Sequence, residues 1–152
     1  MTSSFQIQRA VVRRLRLPTG PRSYIFPTGD PEGRDGQHLS GKFTHEGFAP
    51  EKTAYPFVTY QQWPSTPIVY TWGSKMLLAR FDVKTWSPNS VEANNLDALC
   101  AAVLDEAQLS VAGQSTLICR RVADLRSPDV DEEGIKVYSV GGTYEIWTDQ
   151  PL

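Results

Sequence analysis

Between positions 77 and 84, Leu77, Ala79, Phe81 and Val83 alternate with Leu78, Arg80, Asp82 and Lys84. A period of two with one apolar side is the signature of a β-strand that rests one face on a core. The run belongs to a longer stretch, Tyr55 to Trp86, that opens Y-P-F-V-T-Y-Q-Q-W, and a helical pattern follows at once. Nothing within it groups metal ligands, pairs a nucleophile with a base or cradles a phosphate. The strongest pattern in the chain therefore constrains architecture rather than chemistry.

The flanking patterns fill out that architecture. Ile7, Val11 and Leu15 recur at helical spacing behind a possible cap at Thr2, Ser3 or Ser4, and Pro18 ends the segment. Phe57 to Gln62 reads as a first strand and Lys75 to Trp86 as a second. Between them, Trp63 to Ser74 (W-P-S-T-P-I-V-Y-T-W-G-S) reads as a protruding hairpin or loop. Ser87-Pro88 has the form of an N-cap followed by proline at the first helical position, with Ser90 the alternative cap. The helix is expected to reach about Gln108, with Leu96, Leu99, Val103 and Ala107 on one side. Thr116 to Ala123 is a third strand. The acidic turn Ser127 to Gly134 leads to a fourth, Ile135 to Trp147, in which Gly141-Gly142 suggests a bulge or sharp bend. The order helix, strand, strand, helix, strand, strand predicts an α+β fold, a mainly antiparallel four-stranded sheet packed by helices. It spans a single domain over residues 1–152.

One segment does not fit regular structure. From Pro18 to Ala54 glycine or proline recurs every few residues, while Tyr24, Ile25, Phe26, Phe43 and Phe48 are scattered through it. It reads as a long irregular N-terminal arm or loop that docks on its own domain or on a neighbouring subunit.

A chain of 152 residues with 40% hydrophobic and 21% charged residues can bury a sizeable core. Its net charge of −2 is unevenly divided. Up to Lys42 there are seven Lys/Arg against three Asp/Glu, a net +4, and the remainder holds eight against fourteen, a net −6. Such a split can place opposite potentials on two faces. Cys100 and Cys119 fall in apolar or strand-like runs and read as buried free thiols. Met1 leads into serine and glutamine with no apolar leader, and no apolar run is long enough to span a bilayer, so a soluble protein made in a cytoplasm is expected.

The motifs that imitate chemistry fail on inspection. Asp129 to Gly134 (D-V-D-E-E-G) matches the first half of a calcium loop, but position twelve is Val140, where a bidentate glutamate is required, and strands flank it. Gly29 to Gly36 lacks the strand-to-helix setting and the Lys-Ser/Thr end of a phosphate loop. His38 and His45 have no cysteine or closely spaced acid beside them. Gly113 to Ser115 heads a strand rather than a nucleophile elbow. No catalytic residue, cofactor or metal site is expected.

Two features remain as candidate contact surfaces. Arg9, Arg13 and Arg16 decorate the N-terminal helix, with Arg14 beside them, although a basic whole domain or interleaved aromatics on a sheet would be needed to read nucleic acid. Trp63, Ile68, Tyr70 and Trp72 lie in the loop between the first two strands. Large aromatics are costly to leave in water. The loop either folds onto its own core or anchors a subunit interface.

The Tyr-Pro-Phe-Val start of the first strand (Tyr55 to Val58), the Trp86-Ser87 end of the second and the L-x-x-L-C-x-x-V-L helix core (Leu96 to Leu104) form a diffuse pattern. With the long last strand after an acidic turn, it resembles the tail-terminator, or tail-completion, proteins of long-tailed bacteriophages. The similarity covers roughly Phe48 to Trp147; the glycine- and proline-rich stretch before it looks like an insertion. The resemblance implies a non-enzymatic virion protein without a cofactor, located at the tail neck. It would form a homohexameric ring on the head-proximal end of the tail tube, stop polymerisation of the major tail tube protein and offer a surface to the head-completion or connector protein. It implies no membrane partner and no sequence-specific nucleic acid, any DNA passing through the ring lumen. Two alternatives stand beside it: another neck or head-closure connector protein, and a monomeric ligand-binding or hydrolytic α+β domain.

Overall fold

The computed structural model describes residues 4–15, 17, 44–46, 56–63, 68–71, 73–109, 115–130 and 133–151. In chain order these form α1 (Ser4–Leu15), β1 (Thr44–Glu46), β2 (Phe57–Gln62), β3 (Ile68–Thr71), β4 (Ser74–Ser87), α2 (Ser90–Leu104), β5 (Ser115–Val130) and β6 (Lys136–Pro151). The fold is α+β. Four antiparallel strands make its body in the order β2-β4-β6-β5, with β1 added parallel to β2 and β3 antiparallel to the first residues of β4. The two helices pack on one face, α2 against β4, β5 and β6, and α1 against α2.

Strand β4 is the organising element, as its alternation predicts. Its pairing with β6 runs without a slip from Ser74 opposite Pro151 to Ser87 opposite Tyr138. Ala79, Phe81 and Val83 thereby meet Ile146, Tyr144 and Gly142 on the helix-covered face. These side chains, with Val58, Cys119, Cys100, Val103 and Leu104, join Ile7, Ala10, Val11 and Leu15 of α1 in one core. Fully burying one such side chain stabilises the fold by about 1.5–3 kcal/mol. Ile7, Val11 and Leu15 lie on the buried side of α1 as their spacing requires, and Ala10 completes the stripe.

Several boundaries differ from the expectation, each for a physical reason. The cap of α2 is Asn89 rather than Ser87 or Ser90. Ser87 is still in the β4–β6 ladder and fully buried, whereas Asn89 has extended backbone and its Oδ1 accepts from the Val91 and Glu92 N–H groups at 2.9 and 3.3 Å. Ser87 supports that cap: its hydroxyl accepts from the Asn89 N–H at 3.1 Å and donates to Glu92 at 2.7 Å. The helix ends at Leu104, not near Gln108. Glu106 takes a left-handed conformation (φ 59°) that turns the chain back, and Ala107 is buried because it bridges to Cys119 of β5. The apolar periodicity at Ala107 thus reports a strand contact rather than another helical turn.

The expected acidic turn from Ser127 is shorter, because β5 continues through Val130. Of the two alternatives for Trp63 to Ser74, hairpin or loop, the described part is a hairpin: segment 68–71 is a short strand folded back on β4 through Gly73 (φ 84°). The glycine pair is not a bulge. Strand β6 keeps its register through Gly141 and Gly142, and the extra residues sit on β5, between Thr116 and Ile118 and between Arg121 and Ala123. A Cβ on Gly141 would collide with the Val83 carbonyl of β4, and one on Gly142 would lie 2.6 Å from Arg121 Nε. Close approach requires the two glycines. The expected arm from Pro18 to Ala54 lies outside the described residues, apart from the backbone of Thr44 to Glu46.

Candidate functional site

The sheet has two faces with different chemistry. On the helix-covered face Arg121 of β5 reaches α2 with its guanidinium, and its five N–H donors are all engaged. Its two terminal nitrogens hold the Asp97 carboxylate of α2 at 2.8 and 2.9 Å, and they also reach the Tyr144 hydroxyl at 3.2 Å and the Gly141 carbonyl at 2.7 Å. Nε donates to Asp124 at 2.8 Å. The hydrogen bonds to Asp97 raise the guanidinium further above its already high pKa, against the opposing effect of burial. Burial pushes the Tyr144 hydroxyl up as well. A cation this fully coordinated binds nothing else; it fixes α2 on the sheet.

Cys100 and Cys119 are free and buried as expected. Burial is the main cause that raises both thiols, with Cys119 pushed up to about 12. Such thiols stay protonated and are poor nucleophiles. Among the described residues, no three His, Cys, Asp or Glu side chains gather where they could hold a metal ion.

The other face carries the candidate contact surface. Trp63, just beyond β2, lies against β4: its backbone N–H donates to the Arg80 carbonyl at 2.9 Å and its indole N–H to Asp82 at 3.0 Å. The Arg80 guanidinium sits over the indole ring at 5.2 Å and pairs with Glu145 of β6 at 2.9 Å. Asp82 also accepts from the Thr143 hydroxyl at 2.7 Å. At one end of this polar centre Phe57 stacks on Trp86 at 6.2 Å, and Trp86 donates to Thr59 at 2.9 Å. At the other end Leu78 stands opposite Trp147. The arrangement is a sheet face on which Arg80, Asp82 and Glu145 are each bonded and whose ends are aromatic. Trp63 remains 40% exposed despite its three contacts, which marks it as a side chain held in position rather than buried. Among the described residues of this face no nucleophile is paired with a base, and the face stands as a candidate contact surface.

The structure places the expected contact residues unevenly. Trp63 is on this face. Ile68 and Tyr70 are placed by their backbone in β3, and nothing further is described of their side chains; Trp72 and Arg16 lie outside the described residues. Arg9 and Arg13 are on the exposed side of α1, away from Trp63's contacts. Their neighbour Arg14 is a structural residue, its Nε donating to the Val103 carbonyl in the last turn of α2 at 2.8 Å. Arg80, Asp82, Thr143 and Glu145 were not singled out by sequence. The polar positions of the β4 alternation hold the first two, but their partners on β6 depend on a register that the sequence does not display.

No curated protein matches the chain. A chain from the virion of a native gene transfer agent (GTA) particle superposes with a TM-score of 0.61 over 94% of each chain at 11% identity, which is a likeness of fold. Residues 32–149 match the family described as tail completion protein gp17. With that match spanning most of its length, the chain belongs to the tail completion family and is a structural protein of a bacteriophage tail.

Proposed function

We propose that this protein forms a hexameric ring that caps the head-proximal end of the tail tube, ends its polymerisation and presents the surface on which the head is joined. The observation that carries this reading is the family match over residues 32–149, joined with a fold shared along nearly its whole length with a chain of a virion particle. A terminator works by shape, matching the last tube ring on one side while offering no acceptor surface on the other. Identical subunits close such a ring through heterologous contacts. The outer sheet face with Trp63, together with the sequence segment that carries Ile68, Tyr70 and Trp72, supplies the apolar and aromatic anchors of those contacts. Arg9, Arg13 and Arg16 supply a basic margin. The split of charge along the chain supports discrimination between tube and connector. The partners are further copies of the chain, the major tail tube protein and the head-completion protein; the role involves no catalysis, cofactor or membrane. Helix α2, central to the core, favours this reading over an all-β closure subunit.

The test is to add the purified protein to polymerising tube subunits and measure tube lengths by electron microscopy. Short tubes with a distinct cap at one end are expected. A length distribution unchanged at excess protein would defeat the proposal.

A further inference from the structure

Strand β5 ends the sheet, and among the described residues no strand pairs with its outer edge. The edge is closed in part. The Cys119 N–H donates to the Ala107 carbonyl at 2.8 Å and the Arg121 N–H to Asp105 at 3.0 Å, so the turn after α2 covers it as far as Arg121. The bulge between Arg121 and Ala123 then shifts the alternation by one residue, and the outward N–H positions become 124, 126, 128 and 130. Position 128 is proline, which a strand tolerates with its nitrogen on the open side. The Val130 N–H is taken by Asp129 at 2.8 Å. What remains is a short window, Ala123 to Ser127, with Asp124 and Arg126 offering N–H and C=O groups outward and both side chains exposed, that of Asp124 while bonded to Arg121.

We infer that this window is a self-pairing edge that joins two copies of the unassembled protein, antiparallel, about a two-fold axis at Leu125. Three features fix that register independently. The bulge and Pro128 block pairing at equal distances on either side of Leu125, so only a pairing centred there uses the whole window. In that register Asp124 of each copy, one oxygen of which accepts from its own Arg121 Nε, faces Arg126 of the other with its second oxygen, giving two opposite-charge cross-strand pairs. The outward groups of residues 124 and 126 also form a hydrogen-bonded pair on each side of the axis, four backbone bonds in all. Any one-residue slip sets an inward N–H against an outward one. An open edge is an aggregation hazard, and self-pairing covers it. Few bonds and two solvent-exposed ion pairs make the association weak and salt-sensitive. A two-fold contact has no place within a ring whose two faces differ, so the pair belongs to the protein before assembly, and the inference stands whether or not the ring reading does.

Sedimentation velocity of the full chain across micromolar to millimolar concentrations, without tube protein, tests it. Arg126→Asp places like charges opposite each other and is expected to leave the protein monomeric. Asp124→Arg does the same with arginines; it also removes the acceptor of Arg121 Nε, so its fold is checked against wild type before its association is measured. An equimolar mixture of the two variants restores both opposite-charge pairs and is expected to regain the dimer, an outcome that only the two-fold register gives. Melting temperature reports whether each variant is folded, and the double variant Asp124→Arg/Arg126→Asp, complementary to itself, is expected to pair again. A wild-type chain that stays monomeric throughout, a dimer indifferent to Arg126→Asp, or folded single variants that fail to pair when mixed overturns the inference.

Discussion

Arg121 is the residue on which the position of α2 depends. Arg121 and Asp97 are part-buried, and losing the charge-assisted hydrogen bonds between them costs about 1.5–3 kcal/mol. Arg121→Met is therefore expected to lower unfolding free energy by about that amount in a urea titration, and Arg121→Met with Asp97→Leu to recover part of it. A loss below about 1 kcal/mol in the single variant would show that the cluster only decorates the core. The two cysteines make a second residue-scale prediction. Because burial raises both thiols, with Cys119 pushed up to about 12, the folded chain keeps protons that the unfolded chain releases. Their contribution to stability is present below the unfolded thiol range and is lost as pH rises through it toward the folded values. Native protein at pH 8 is expected to resist a thiol-labelling reagent that reacts at once in denaturant, and stability is expected to fall as the buffer is taken above about pH 9.

Elements here are set as much by their ends as by their interiors. The Asn89 side chain closes two N–H groups at the start of α2. Asn89→Ala is expected to cost about 1 kcal/mol, read as a shifted denaturation midpoint at constant slope. That cap also shows where sequence and structure part. The interior alternation of β4 and the spacing of Ile7, Val11 and Leu15 are local patterns, legible because each residue's burial follows from its own strand or helix period. Whether Ser87 caps a helix or completes a ladder depends on Tyr138, far along the chain and opposite it in β6. Gly141 and Gly142 are read correctly as special positions and wrongly as a bulge, because the atoms that exclude a side chain there belong to Val83 and Arg121. The same holds for the candidate surface. Trp63 is visible as a large aromatic beside a strand, whereas its fixing by Asp82 and Arg80 arises only once β2 and β4 are in register.

At the scale of the whole molecule, one sheet face is sealed by helices and held by Arg121, and the other carries the Arg80–Glu145 pair and Asp82 between aromatic ends. The proposed ring assigns stability to the first face and contacts to the second. Trp63, exposed and hydrogen-bonded by its rim, is where the separation can be tested: Trp63→Ala is expected to lower the melting temperature by only a few degrees, consistent with a loss of about 1 kcal/mol. The same variant should shift tube capping to markedly higher protein concentrations. A large loss of stability with capping intact would assign Trp63 to the fold instead of the interface. The account's central claim is that six copies close a ring at one end of the tube. Electron cryo-microscopy of tubes grown with this protein, averaged at their ends, addresses it most directly. The account predicts a sixfold layer of this α+β fold at a single end; its subunits distributed along the tube, or absent from both ends, would contradict it.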